Sequence, residues 1–270
     1  MKGKRLGLWL LLALGACAGC VGIHEEEEEV VVPVIDPEDG SADIGTRFFH
    51  RVFVFEYTAT WCQYCPNMNE ALEEARSLRP GRIVPVAVHQ YDEMSAKVCD
   101  TIVSHFSVTG FPHLVFDYDT KSKIQRQETA LITAYVDQAL PATACGIGID
   151  AQQAGSVTVK VKVAEAGEYA LSVFLVEDGI VARQTGAGDN YVNNAVLRSA
   201  LTASFAGEPI GTLAAGEEVT RSFPVGSGEH LRVVACVLKR GAEDAFRAVN
   251  AAQCSLNQKV DYRYEPDQQN

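Results

Sequence analysis

The stretch FVFEYTATWCQYCPNMNEALEEA, Phe53 to Ala75, leaves few folds open to this chain. Val52 to Tyr57 is apolar and rich in β-branched and aromatic residues, with Glu56 the one charge, which is the composition of a buried strand. Cys62-Gln63-Tyr64-Cys65 follows closely and opens a helical pattern, Gln63 to Leu78, that stops at Pro80-Gly81. A strand handing over to a helix is the corner of a layered α/β sheet. Two cysteines occupy that corner.

Three chemistries compete for the pair. At a helix start, Cys-x-x-Cys brings both sulfurs within disulfide range. The first sulfur then faces unpaired backbone N–H groups that favour its thiolate, and the second resolves the mixed disulfide. Pro66 sits in the helix's first turn, where its missing N–H costs little. A zinc clip needs four ligands, but Cys99, Cys145, Cys236 and Cys254 are scattered and the histidines show no ligand spacing, so no metal is expected. Two inert buried thiols are the third possibility, and a strand end beside a helix start is a poor place to hide them.

Alternation continues after the corner. Ile83 to Val88 reads as a strand and Ser95 to Phe106 as a helix with Ser95 as N-cap. His113–Asp117 and Ile124–Gln127 bracket a hairpin, and Thr129–Leu140 is amphipathic with Leu131, Tyr135 and Val136 on one face. The pattern changes near residue 142. Val157, Val159, Val161 and Val163 alternate with polar residues, and Tyr169–Val176, Val219–Val225 and Leu231–Leu238 read as further strands between Gly-rich turns. Asn190–Ala203 reads as a loop or short helix. The expected organisation is an α/β domain over 46–141 followed by an all-β, immunoglobulin-like sandwich over 142–270. The Cys…Trp…Cys core of antibody domains is missing, since the only tryptophans are Trp9 and Trp61.

The amino-terminal end points to export. Lys2, Lys4 and Arg5 precede an apolar run, Leu6–Ala16, too short to span a bilayer but suited to a signal peptide over 1–16. Loss of that leader removes three basic residues and no acidic one, so the net charge of −12 becomes more negative still. Nucleic acid is therefore not an expected partner. Residues 17–45 contain Glu25–Glu29 and prolines at 33 and 37, the make-up of an extended, solvated tether.

Several features outside the corner have plausible roles. Glu56 lies six residues before Cys62 in an otherwise apolar strand. Burial there would raise its pKa and let it shuttle the Cys65 proton, whereas an edge strand would leave it solvated. Pro112, opening a strand after Val108-Thr109-Gly110-Phe111, is a candidate for a cis bond, with Phe111 offering its backbone to a peptide. Cys145 and Cys254 could staple the β-region, Cys236 could partner Cys254, or all could be buried thiols. His89 reads as structural before catalytic. Asp117-Tyr118-Asp119-Thr120 suggests a turn before a calcium site.

Trp61-Cys62-Gln63-Tyr64-Cys65-Pro66, with Gly110-Phe111-Pro112 further on, resembles the thioredoxin fold over residues 46–141. The resemblance implies that Cys62 attacks, Cys65 resolves, Glu56 is the buried acid, Pro112 is cis, and Trp61, Tyr64 and Phe111 border the substrate. Gln63-Tyr64 replaces the Gly-Pro of thioredoxin itself, which leaves the direction of electron flow open. Leu14-Gly15-Ala16-Cys17 resembles the lipobox of bacterial lipoproteins, implying cleavage before Cys17 and a lipid on it. The glutamate run resembles the surface-export signal of Bacteroides-type lipoproteins. Tyr191–Arg198 with Gly207-Glu208-Pro209-Ile210-Gly211 resembles the 28-kDa outer-membrane protein family of Bacteroides-like bacteria. The expected function is a membrane-tethered thiol–disulfide oxidoreductase acting on thiols and disulfides of exported proteins, without a cofactor. The alternative is a surface binding lipoprotein in which the pair is a structural disulfide.

Overall fold

The computed structural model describes residues 48–140, 143–241 and 245–265. The expected leader, the lipidation candidate Cys17 and the expected acidic tether lie outside the described residues.

The first half alternates as its sequence does: β1 (Val52–Thr58), α1 (Cys65–Leu78), β2 (Ile83–His89), α2 (Cys99–His105), β3 (His113–Phe116), β4 (Lys123–Ile124) and α3 (Thr129–Ala139). β1 runs parallel to β2 and antiparallel to β3, which pairs antiparallel with β4. β1 and β2 are buried throughout, because α1 and α3 cover one face and α2, together with the second half of the chain, covers the other. Val52 and Val54 pack with Met68, Leu72, Ile132 and Val136 of α1 and α3. Phe53, Phe55 and Tyr57 point the other way, to Ile102 of α2 and Phe106 just past its end. By the same alternation Glu56 is on the α1 side.

Two helices differ from expectation. α1 begins at Cys65, so Cys62 lies in the turn ahead of it. α2 begins at Cys99, because Asp92 organises a turn that absorbs Ser95: the Met94 N–H donates to Asp92 Oδ1 at 3.0 Å and the Ser95 N–H to the Asp92 carbonyl at 3.1 Å. On α3 the buried residues are Ile132 and Val136, while Tyr135 stacks beside them on Phe116 at 4.3 Å.

The second half is all strand: β5 (Cys145–Asp150), β6 (Ser156–Val163), β7 (Gly167–Glu177), β8 (Ile180–Gln184), β9 (Gly188–Asn193), β10 (Val196–Ala200), β11 (Glu208–Leu213), β12 (Glu218–Pro224), β13 (Leu231–Arg240), β14 (Phe246–Ser255) and β15 (Lys259–Val260). Asn190–Ala203, expected as loop or helix, is mostly β9 and β10, whose strand character comes from pairing with β8 and β7 rather than from local alternation. A four-stranded sheet, β12-β6-β5-β15, packs its valines against Tyr169, Leu171, Val173, Val233 and Ala235 to form a sandwich core.

The change of pattern near residue 142 does not divide the other sheet. Nine strands join across it in the order β14-β13-β7-β10-β2-β1-β3-β4, with β11 on β7. β7 is buried on both faces: alternate residues enter the sandwich core, and Ala170, Phe174 and Val176 enter the core that holds Phe53, Phe55 and α2. The sheet curls enough for the Ala248 N–H to donate to the Asp117 carbonyl at 2.9 Å and for Phe174 to meet Phe55 at 5.7 Å.

Cys99, Cys145, Cys236 and Cys254 are free and buried, so neither Cys145 nor Cys236 is bonded to Cys254. They fill core positions as small apolar side chains. The Asp117–Thr120 turn is held both by β1 and by the residues that follow it. Asp117 Oδ1 accepts the Phe53 N–H at 2.8 Å, and Asp119 accepts from the Lys121 N–H at 2.9 Å and the Ser122 hydroxyl at 2.7 Å.

Candidate functional site

Cys62 and Cys65 form a disulfide, with 5.5 Å between their Cα atoms. The turn that carries them is hydrogen-bonded at each step: the Cys62 N–H donates to the Ala59 carbonyl at 3.0 Å and the Cys65 N–H to the Cys62 carbonyl at 3.4 Å. Pro66 occupies the first turn of α1. The upstream end of the turn is pinned by Asp92, whose Oδ2 accepts the Thr60 N–H at 2.9 Å and meets His89 Nδ1 at 2.8 Å. Burial works against the Asp92 carboxylate, but the bonds from His89, Thr60 and Met94 hold its pKa below the ordinary value. His89 thus braces the corner through Asp92.

Phe111 packs on the cluster of Ala59, Cys62 and Cys65, and the Phe111–Pro112 peptide bond is cis. Trp61 stacks on Phe111 with 5.6 Å between ring centroids and an interplanar angle of 15°, and its indole N–H donates to the Gln90 carbonyl at 2.9 Å. Trp61 is 49% exposed and Tyr64 58%, so two large aromatic side chains border the pair on the surface. Glu56 is buried beneath α1, the helix that Cys65 begins. Burial first, and repulsion from Glu73 second, push its carboxyl up to about 7, with Arg76 opposing. A carboxyl in that range exchanges protons readily near neutral pH. The structure therefore brings Cys62, Cys65, Trp61, Tyr64, Phe111 and Pro112 to one corner, with Glu56 in the strand leading to it.

Sequence reading missed the other wall. The hairpin β8–β9 belongs to neither sheet, and its tip lies on the cysteine turn. Gln184 is buried, and its carboxamide N–H groups donate to the carbonyls of Ala59 at 3.0 Å and Cys62 at 2.9 Å. The Thr185 N–H donates to the Thr60 carbonyl at 2.8 Å, and Asn69 Nδ2 of α1 donates to the Tyr191 hydroxyl at 2.7 Å. With this cover Cys62 is 4% exposed and Cys65 2%. The Gly186-Ala187-Gly188 run signals a turn, yet nothing local says what the turn packs on.

His113, directly after Pro112, was likewise not singled out. Its ring is buried against Tyr57 at 6.1 Å, and neither ring nitrogen has a hydrogen-bond partner among the described residues. Burial, with Lys123 adding to it, lowers its pKa to about 4.

Residues 99–259 match the family described as Outer membrane protein Omp28. The chain belongs to that family. The matched span starts at α2, so the Omp28 assignment and the cysteine corner are independent features of the chain. HBP35 of Porphyromonas gingivalis superimposes with a TM-score of 0.66 at 18% identity, over 78% of this chain and 76% of that one. A structural-genomics protein of Agrobacterium tumefaciens superimposes with a TM-score of 0.56 at 13% identity, over 79% and 97%. At such identities the likeness is one of fold. The protein disulfide isomerase-like 5-3 of Oryza sativa subsp. japonica is 30% identical over 103 residues, which is 36% of this chain and 23% of the rice protein. This Omp28-family chain thus carries a thioredoxin-like fold with a large β-sheet component, and its family is one of outer membrane proteins.

Proposed function

We propose that this protein is a thiol–disulfide oxidoreductase of the cell envelope, tethered through a lipid on Cys17 and acting on exported proteins. The observation that carries the reading is the Cys62–Cys65 disulfide at a strand–helix corner whose strand buries Glu56. In the oxidised state a substrate thiolate attacks Cys62 Sγ, the Cys62–Cys65 bond breaks, and Cys65 departs with the electron pair and takes a proton from Glu56. A second substrate thiolate then attacks the substrate sulfur bonded to Cys62 and releases Cys62 as thiolate. The substrate loses two electrons and the pair gains two; run in reverse, the Cys62 thiolate opens a substrate disulfide. Trp61, Tyr64 and Phe111 offer aromatic surface to the substrate, and Pro112 supports Phe111 beside the sulfurs.

A second reading has one observation in its favour. Both cysteines are nearly covered, as in a permanent structural disulfide, and the thioredoxin-like fold would then be the scaffold of a surface binding lipoprotein. The reduction potential separates the two, measured on the chain without its leader and with Cys62→Ser as control. A value of about −120 to −270 mV supports exchange, whereas a value below about −300 mV marks a staple and removes the oxidoreductase reading.

A further inference from the structure

Resting on the redox reading, we infer that the β8–β9 hairpin selects the thiols that reach Cys62, with Gln184 as the residue that positions it. A carboxamide NH2 has two donor hydrogens, and Gln184 commits one to the Ala59 carbonyl and one to the Cys62 carbonyl. Only the NH2 end of the amide suits two carbonyls, which fixes its orientation. Gln184 thus links the second half of the chain directly to the backbone of Cys62, the cysteine that attacks in the proposed exchange. Next to it, Gly186 has φ +89°, and a Cβ built there would lie 2.4 Å from the Gln63 carbonyl oxygen. The tip seats because that residue has no side chain.

The hairpin is a unit of its own, held to the cysteine corner at its tip. It pairs within itself, outside both sheets, and its outward residues Val181 and Val192 are exposed. Its hydrogen bonds to the cysteine corner and α1 come from few points: Gln184, Thr185 and the Tyr191–Asn69 bond. Its base is fixed, with the Gly179 N–H donating to Asn194 Oδ1 at 2.9 Å and the Ala195 N–H to Asp178 Oδ1 at 2.8 Å, so displacement falls on the tip. With the tip seated Cys62 is only 4% exposed, which a small thiol can exploit, while a folded protein must displace the hairpin to align its sulfur with the Cys62–Cys65 bond. Discrimination by partner size follows.

The test compares two reductants on the leader-free chain: dithiothreitol, and reduced thioredoxin as a folded dithiol. Trp61, next to the disulfide and the one tryptophan outside the leader, reports reduction by fluorescence. Gln184→Met keeps the volume and removes both donors; Gly186→Ala leaves Gln184 intact and unseats the tip. Both variants should gain about tenfold in rate toward thioredoxin, the ratio expected from losing one or two ordinary hydrogen bonds, and change less than about twofold toward dithiothreitol. An unchanged ratio of the two rates in Gly186→Ala, with wild-type thermal unfolding, overturns the inference and leaves the redox reading standing. Equal losses toward both reductants overturn it too, since they mark the hairpin as structural. A wild-type disulfide that resists dithiothreitol removes the redox reading itself, and the inference with it.

Discussion

The Ala87 N–H donates to the Ala195 carbonyl at 2.8 Å, and Val196 stands beside Ala87 as the single registered pair between β10 and β2. One parallel bridge therefore joins the strands of the two halves into a continuous sheet. The bridge alone is weak, but the core beneath it is shared: Phe53 and Phe55 of β1 lie in one cluster with Phe174, Val234 and Ala251. Removing the second half would expose those rings to water.

Unfolding should accordingly be a single transition. Trp61 fluorescence and far-ultraviolet circular dichroism should give the same midpoint, and a fragment ending at Leu140 should not fold alone. Two separated midpoints, or a folded fragment, would show that each half is stable by itself.

Asn250 offers a second stability test. Its Nδ2 donates to the carbonyls of Phe49 at 3.1 Å and Cys145 at 2.7 Å, and its Oδ1 accepts the N–H groups of Arg51 and Ala251, both at 2.9 Å. One buried side chain thus satisfies four backbone groups from three segments. Asn250→Leu leaves them unpaired and should cost roughly 3–5 kcal/mol, read from urea unfolding. A loss under about 1 kcal/mol would mean that water replaces the amide.

His113 should make the protein acid-sensitive. Its folded pKa of about 4 lies below the ordinary 6.5, so the unfolded chain binds the proton more readily. Stability from this group is complete above pH 6.5 and is lost as pH falls toward 4. His113→Phe keeps a ring against Tyr57, removes two unpartnered nitrogens, and should flatten stability across that window. A variant as acid-sensitive as the wild type would assign the effect to other groups.

The α/β half was legible because its signals are local. The Cys-x-x-Cys corner, the buried strands and Gly110-Phe111-Pro112 need no distant partner to be recognised. Long-range relationships escaped. β10 owes its place to β7 and β2, and Gln184 reaches Cys62 across 122 positions, a pairing no local pattern encodes. The helix expected to start at Ser95 starts instead at Cys99 for a related reason: Asp92 spends its side chain on its own turn and on Thr60. The sheet shared between the halves was hidden as well, since β7 carries apolar residues on both faces and either face alone would suit a separate sandwich.

Glu56 provides the sharpest pH test. Its carboxyl has a folded pKa of about 7 against 4.5 in the open chain, so the folded state holds the proton more tightly. Stability from this group is complete below pH 4.5 and falls as pH rises to about 7, because the charged form must be buried. Glu56→Gln removes that cost and should be more stable than the wild type at pH 8 by roughly 1–3 kcal/mol, with the difference vanishing at pH 4. Under the proposed role of Glu56 as proton donor to Cys65, the same substitution should slow disulfide reduction by about 10- to 100-fold near neutrality and remove its inflection near pH 7. A more stable protein that also exchanges more slowly is the signature of a functional carboxylate. Greater stability with an unchanged exchange rate would leave Glu56 a buried acid with no part in the chemistry.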